Sequence, residues 1–222
     1  MSSAVRTAVV LLAAVSVLVG GLYLVGVVNP VPKPPVTGDV LGPENSEPVA
    51  HYLARAEKSL SGPDTERWAL ISLRQAQSLD DGWALTATQP SMLLSQNIFN
   101  VPIERVQTPS VRAATGNTEE SFHWSQQIAA QQVISRSDGT ERALQVGAVA
   151  AARLRAGCEC LIGLVVRDRL SVLRQVAAEP GVRAVEALPD DAAAGLFAVV
   201  PLQPSMVTIV EPLPDDGPVP AA

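Results

Sequence analysis

Cys158-Glu159-Cys160 holds the chain's only two cysteines. It is the one place where residue type and spacing could carry chemistry. The pair could form a local disulfide, remain as two packed thiols or pair between molecules, act in thiol redox exchange, or bind a soft metal such as Cu(I) or Zn(II). Residues i and i+2 of a regular strand hold their Cα atoms about 7 Å apart, the outer limit for a disulfide. A local bond therefore requires the backbone to pucker beside Gly157. His123 is the candidate third metal ligand, which still falls short of the four that structural zinc takes. The spacing is not Cys-x-x-Cys, so a thioredoxin-like motif is excluded.

The remaining ionisable groups read as structural. The two histidines, His51 and His123, fall in separate helical stretches, and the chain has no Gly-x-Ser-x-Gly elbow, His-Glu-x-x-His or P-loop. Of the acid pairs, Asp80-Asp81 starts a helix, Asp190-Asp191 follows Pro189 in a turn, and Asp215-Asp216 lies in the tail. No catalytic residue and no cofactor is assigned, and the chain reads as a non-enzyme.

The element that positions all of this is the apolar run from Ala8 to Val28, AVVLLAAVSVLVGGLYLVGVV, without charge or proline. At about 1.5 Å per residue it matches the roughly 30 Å hydrocarbon thickness of a bilayer. It is too long for a signal-peptide core and is followed by no small-x-small cleavage site, so it reads as a single-pass anchor in the lipid bilayer. Ser16 and Gly20 form a small-xxx-small pair that could seat a partner helix. Residues 1–7 are a short tail carrying Arg6. Positive-inside counting places that tail in the cytoplasm and the bulk of the chain outside the cell membrane.

Residues 29–45, with Pro30, Pro32, Pro34 and Pro35, read as a stiff polyproline stalk. The domain expected over 46–211 belongs to an acidic part of the chain. Of 16 basic residues only Arg6 precedes the apolar run and all 22 acids follow it, so the displayed part carries 15 − 22 = −7. That balance argues against nucleic acid as a partner.

Within the domain, Ser46-Glu47-Pro48 predicts a helix start with a hydroxyl cap, and Val49, Tyr52, Leu53, Ala56 and Leu60 form its buried stripe. His51 and Arg55 fall off that stripe and are expected to be solvated. Residues 68–73 predict a strand, 78–94 a helix with interruptions expected at Gly82 and Pro90, and 97–107 a second strand at an edge or a bulge because of Pro102. Residues 119–155 predict two helices broken near Asp138-Gly139-Thr140-Glu141, read as a capping box with Asp138 at the cap. Residues 160–166, 168–179 and 182–188 predict a further β-α-β unit. Strands are also expected at 197–200 and 207–210, and residues 212–222 read as a disordered acidic tail. The fold class is α+β: two β-α-β units forming a ferredoxin-like sheet, with a long helical insertion between them.

Several segments, LGPENSEPVAHYLARAEKSL, WALISL, IERVQTPSV, GCEC and PGVRAVEALP, resemble uncharacterised single-pass membrane proteins of actinobacteria. The resemblance implies an anchored envelope protein and no activity. The unit ending in PGVRAVE is similar in fold to small ferredoxin-like propeptide or inhibitor domains, a likeness that transfers no function. The expected role is an interaction or scaffolding module that binds another membrane or secreted protein. The alternative is a thiol-redox or soft-metal function at Cys158 and Cys160. The oligomeric state is not legible.

Overall fold

The computed structural model describes Val15, Ser16, Leu18, Val19, residues 38–137 and residues 139–221. From Gly38 the chain runs β1 (Val40–Leu41), α1 (Val49–Ser59), β2 (Glu66–Gln77), α2 (Leu79–Ala87) and β3 (Leu93–Phe99). Then come β4 (Val111–Ala114), α3 (Glu119–Ser135) and α4 (Glu141–Arg155). The last elements are β5 (Leu161–Arg169), α5 (Leu170–Ala177), β6 (Val182–Ala187) and β7 (Ala198–Val199). Most of the expected anchor, Gly20 included, lies outside the described residues. Ser16 is helical, and no described helix is long and apolar enough to cross a membrane.

β2 organises the body. Ala69, Ile71 and Leu73 enter the larger apolar cluster, while Trp68 and Leu70 enter a second cluster on the other face. That period-two division is what a strand buried on both sides requires. β5 pairs antiparallel along one side of β2 and β6 along the other; β3 joins β5, and β4 closes the edge, giving the order β4-β3-β5-β2-β6. β2 and β3, linked by α2, are therefore parallel with β5 between them. β5 and β6, linked by α5, are parallel with β2 between them. Each β-α-β unit lends a strand to the other.

At the centre, a Cβ on Gly163 would lie 2.5 Å from the Ile71 carbonyl, so only glycine lets β5 approach β2 there. α3 and α4 are the insertion between the units. Phe122, Ala129, Ala130 and Val133 of α3 and Ala150, Ala151 and Leu154 of α4 pack into the larger cluster.

Several local expectations are corrected. Ser46 does not cap α1; it adopts φ 62° and donates its N–H to the Val210 carbonyl at 2.8 Å, leaving Pro48 at the N-cap without a side-chain bond. Thr140, not Asp138, caps α4 by accepting from the Ala143 N–H; Asp138 lies outside the described residues. The second strand ends at Phe99, and residues 101–106 form a loop closed by an isolated Ile103–Val106 bridge, because Pro102 interrupts the ladder. α2 ends at Ala87, two residues before Gln89-Pro90. Residues 38–45, assigned by composition to the stalk, belong to the body.

Two further features fall outside local pattern. The N-cap of α5, Arg169, makes no side-chain bond, and Asp64 caps the helix from across the fold, accepting from the Ser171 N–H at 2.8 Å. That bond holds the Asp64 carboxyl below its ordinary value. The expected strand at 197–200 is the two-residue β7, which leaves the main sheet and pairs in parallel with β1. The expected strand at 207–210 reduces to one bridge between Ile209 and Pro48. Together with α1, these terminal segments cover the sheet face opposite α2 to α5: Leu41, Phe197 and Val199 pack with Trp68, Leu70 and Ile98, and Val49, Tyr52 and Ala56 of α1 pack with Ala184, Leu202 and Val210.

Candidate ligand-binding cleft

β1, the end of β7 and the segment 206–212 enclose a cleft of about 540 Å³. Its wall is largely apolar, with Val40, Pro43, Val200, Met206, Val210 and Pro212, and Arg55 forms its charged floor. The volume lies within the range of small-ligand pockets, about 300–1,000 Å³.

Arg55 is the residue whose expected solvation is wrong. It stands three positions after Tyr52 on α1, and its guanidinium turns back over the Tyr52 ring, 5.2 Å from the ring centroid. Nη2 donates to Glu47 Oε2 at 3.0 Å and to the Gly42 carbonyl at 3.2 Å, and Nη1 donates to Glu186 Oε1. Glu186 belongs to β6 and is only 4% exposed. Its second oxygen accepts the Gly42 N–H.

Burial pushes the Glu186 carboxyl above its ordinary value, although Gly42, Arg55 and Tyr52 all favour the ionised form. Burial raises the Tyr52 hydroxyl as well, helped by the negative charge of Glu186. Burial also acts upward on Glu47, but the hydrogen bonds from Arg55 and from the Glu44 N–H outweigh it and hold that carboxyl low. The result is one cation shared by two carboxylates, a structural network with no group left poised as a base.

The other residues singled out by sequence do not gather here. Cys158 and Cys160 form a disulfide with Cα atoms 5.3 Å apart, closer than a regular strand allows, in the bend after Gly157 (φ 78°). Gln126 of α3 donates to the Cys158 carbonyl at 2.9 Å. Cys160 is 1% exposed and sits in the main core. Attack on the half-buried Cys158 sulfur would thus release a thiolate into apolar surroundings, where it is a poor leaving group.

We expect a mild reductant to expose no titratable thiol in the native protein, and both thiols once denaturant is present. Labelling of Cys158 or Cys160 under native conditions would contradict this. A loop this short constrains the unfolded chain by only about 1.5 kcal/mol, against about 3 kcal/mol for a 15-residue loop.

Among the described residues no group of three or more His, Cys, Asp or Glu could hold a metal ion, the set of His123, Cys158 and Cys160 included. His123 Nε2 lies 2.8 Å from Asp80 Oδ1 and its Nδ1 2.8 Å from the Glu119 carbonyl. With an acceptor facing each nitrogen, the ring favours the imidazolium, and the Asp80 bond, then the Glu119 bond, raises its pKa above 6.5. Stability from this pair is full below about pH 6.5 and is lost as pH rises through the raised value. Because Asp80 is 89% exposed, the effect should stay within about 1 kcal/mol. His123→Gln should flatten the thermal midpoint between acidic and alkaline pH; an unchanged pH profile would assign the dependence to other groups.

Neither family models, nor curated proteins, nor solved structures provide a match to this chain. The chemistry of the cleft must stand on its own residues. His51 is exposed on α1, and the exposed Asp190-Asp191 lies in the turn after β6.

Asp215 and Asp216, expected in a disordered tail, make specific contacts. Asp215 accepts from the Gln107 N–H at 3.0 Å and from Arg142 at 2.8 Å, and Asp216 pairs with Arg105. The Arg142 bond, then the Gln107 bond, holds the Asp215 carboxyl low.

The residue that sequence missed outright is Glu186. Its signal was available: VRAVEA places an acid on an otherwise buried strand, and such an acid demands a cation from elsewhere.

Proposed function

We propose that this is a single-pass membrane-anchored protein whose α+β body, ferredoxin-like in its interleaved βαββαβ order, is displayed outside the cell membrane as a non-enzymatic interaction module. The observation that carries the reading is the cleft beside β1. It offers an apolar wall of ligand-binding size, while the ionisable groups beneath it are bound to one another in the Arg55–Glu186–Glu47 network. A cleft of that kind is suited to binding, since the charges at its floor neutralise one another. The apolar run at residues 8–28 supports the anchor, and the acid-rich composition supports protein rather than nucleic acid as the partner. A thiol-exchange or soft-metal role at Cys158 and Cys160 is the less favoured reading, because one sulfur lies in the core.

The test is in-cell photo-crosslinking with a photoreactive residue at Val207, which is 72% exposed and adjoins Met206 of the cleft wall. A control carries the same group at Ala148, on the exposed side of α4. A discrete adduct from position 207 alone is expected; identical patterns from both positions, or none, would remove the cleft as a docking site. A full-length product that stays in the supernatant after high-speed centrifugation without detergent would remove the anchor.

A further inference from the structure

We infer that the cleft takes an extended, apolar peptide segment carrying a lysine or arginine, contributed by a partner protein. This rests on the binding reading above and adds the chemistry of the occupant. Charge decides it. Among the described residues Arg55 is the only cation in the lining, and two carboxylates, Glu47 and Glu186, already bind it, so it has little charge left to offer an acid. Glu44 and Glu211 also line the cleft; both are exposed, and neither carboxylate makes an ion pair or hydrogen bond with another described residue. Asp39 adds a further exposed acid beside Val40. The field in the cleft is therefore negative, and low-dielectric apolar walls focus it. An acidic peptide or an anionic lipid headgroup would be repelled, whereas a basic side chain would find two unpaired partners at the mouth.

The apolar part of the occupant follows from the wall and its surroundings. Val40 and Val200 are 46% and 41% exposed within the lining, and Val207 and Ile209 are exposed beside it. The extended form follows from β1, which has a neighbour, β7, on one side only. In a parallel pair alternate backbone groups face away from the partner strand, and such an open edge accepts an added strand. The volume suits a few side chains, not a helix.

Binding of short synthetic peptides to the full-length protein, held in nanodiscs of neutral phosphatidylcholine, tests this by fluorescence anisotropy. Three probes share one frame of valine, leucine and proline and differ in carrying two lysines, two glutamines or two glutamates. The lysine probe should bind about tenfold more tightly than the glutamine probe, with the glutamate probe weaker still. Glu44→Gln with Glu211→Gln should erase the preference for lysine, so that the lysine and glutamine probes bind alike. Both acids are exposed and bond no other described residue through their side chains, so the fold is preserved. Met206→Ser should weaken all probes alike.

Equal binding of the lysine and glutamate probes, or a lysine preference that survives the double variant, overturns the inference. Adducts at position 207 from an acidic or uncharged segment, or from a second copy of this chain, also overturn it while the binding reading stands. No probe binding together with no adduct at position 207 removes both.

Discussion

Gly42→Ala is expected to lower the unfolding free energy by about 3 kcal/mol or more and to release β1 from β7. Gly42 has φ 110°, a region that side chains rarely enter, and a Cβ there would sit 1.7 Å from the Val200 carbonyl oxygen. That carbonyl belongs to backbone, so it cannot rotate away as a side chain would. Any relief moves residues 38–45 off the sheet, which also withdraws the Gly42 N–H from the buried Glu186 carboxylate.

Gly195→Ala is the control, because its φ of 78° meets nothing within 4 Å and should cost only the left-handed penalty of about 1–2 kcal/mol. Denaturant unfolding gives the size of each effect. Hydrogen exchange gives the location: the Val200 amide, which donates to the Leu41 carbonyl at 2.7 Å, should lose protection while amides of the β2–β5 ladder keep theirs. Retained protection at Val200 would refute the account.

The second large effect is expected from Arg55→Leu, and it should depend on pH. Removing one partner of a buried pair usually costs about 3–5 kcal/mol; with Arg55 40% exposed, about 2–3 kcal/mol is expected near neutral pH. The sign follows from Glu186. Burial already raises its folded pKa above 4.5, so its contribution is full below about pH 4.5 and is lost as pH rises through the raised value. Without Arg55 that value climbs further, and the variant loses more stability at alkaline than at acidic pH.

Glu47 opposes this in the wild type. Its lowered carboxyl contributes above about pH 4.5 and loses that contribution as pH falls through its folded pKa. Removing Arg55 removes that term too, so the variant's stability should tilt toward acid on both counts. Unfolding midpoints across pH check it. A deficit independent of pH would mean that Arg55 acts through its alkyl stem on Tyr52 and not through its charge. Arg55→Met with Glu186→Met should recover part of the loss, since an apolar pair leaves no buried charge.

What sequence disclosed follows from how local the causes are. The β-α-β unit at residues 160–188 was legible because CLIGLVV and VRAVEAL carry their own periodicity and Pro180-Gly181 marks the turn. The break between α3 and α4 was legible for the same reason, although its cap was assigned to Asp138 and belongs to Thr140. Causes lying far away along the chain were hidden. Ser46 resembles a cap, but its N–H is taken by Val210. Arg55 looks solvated on a helical wheel, and only the fold brings Glu186, 131 positions later, against it. The ordering of Asp215 likewise depends on Gln107 and Arg142, which no tail composition reveals. The cleft itself is built from the two ends of the described body, so no single stretch announces it.

The interleaved strand order also has a consequence for the timing of synthesis. β2 finds no sheet neighbour until β5 exists, since its only partners are β5 and β6. Between Gln77 and Leu161 a ribosome working at about 5–20 residues per second needs roughly 4 to 17 seconds. Throughout that interval ALISL is an unsatisfied, sticky ribbon, shielded only by whatever chaperone attends the nascent chain. A product truncated before Leu161 should therefore aggregate instead of forming half a domain.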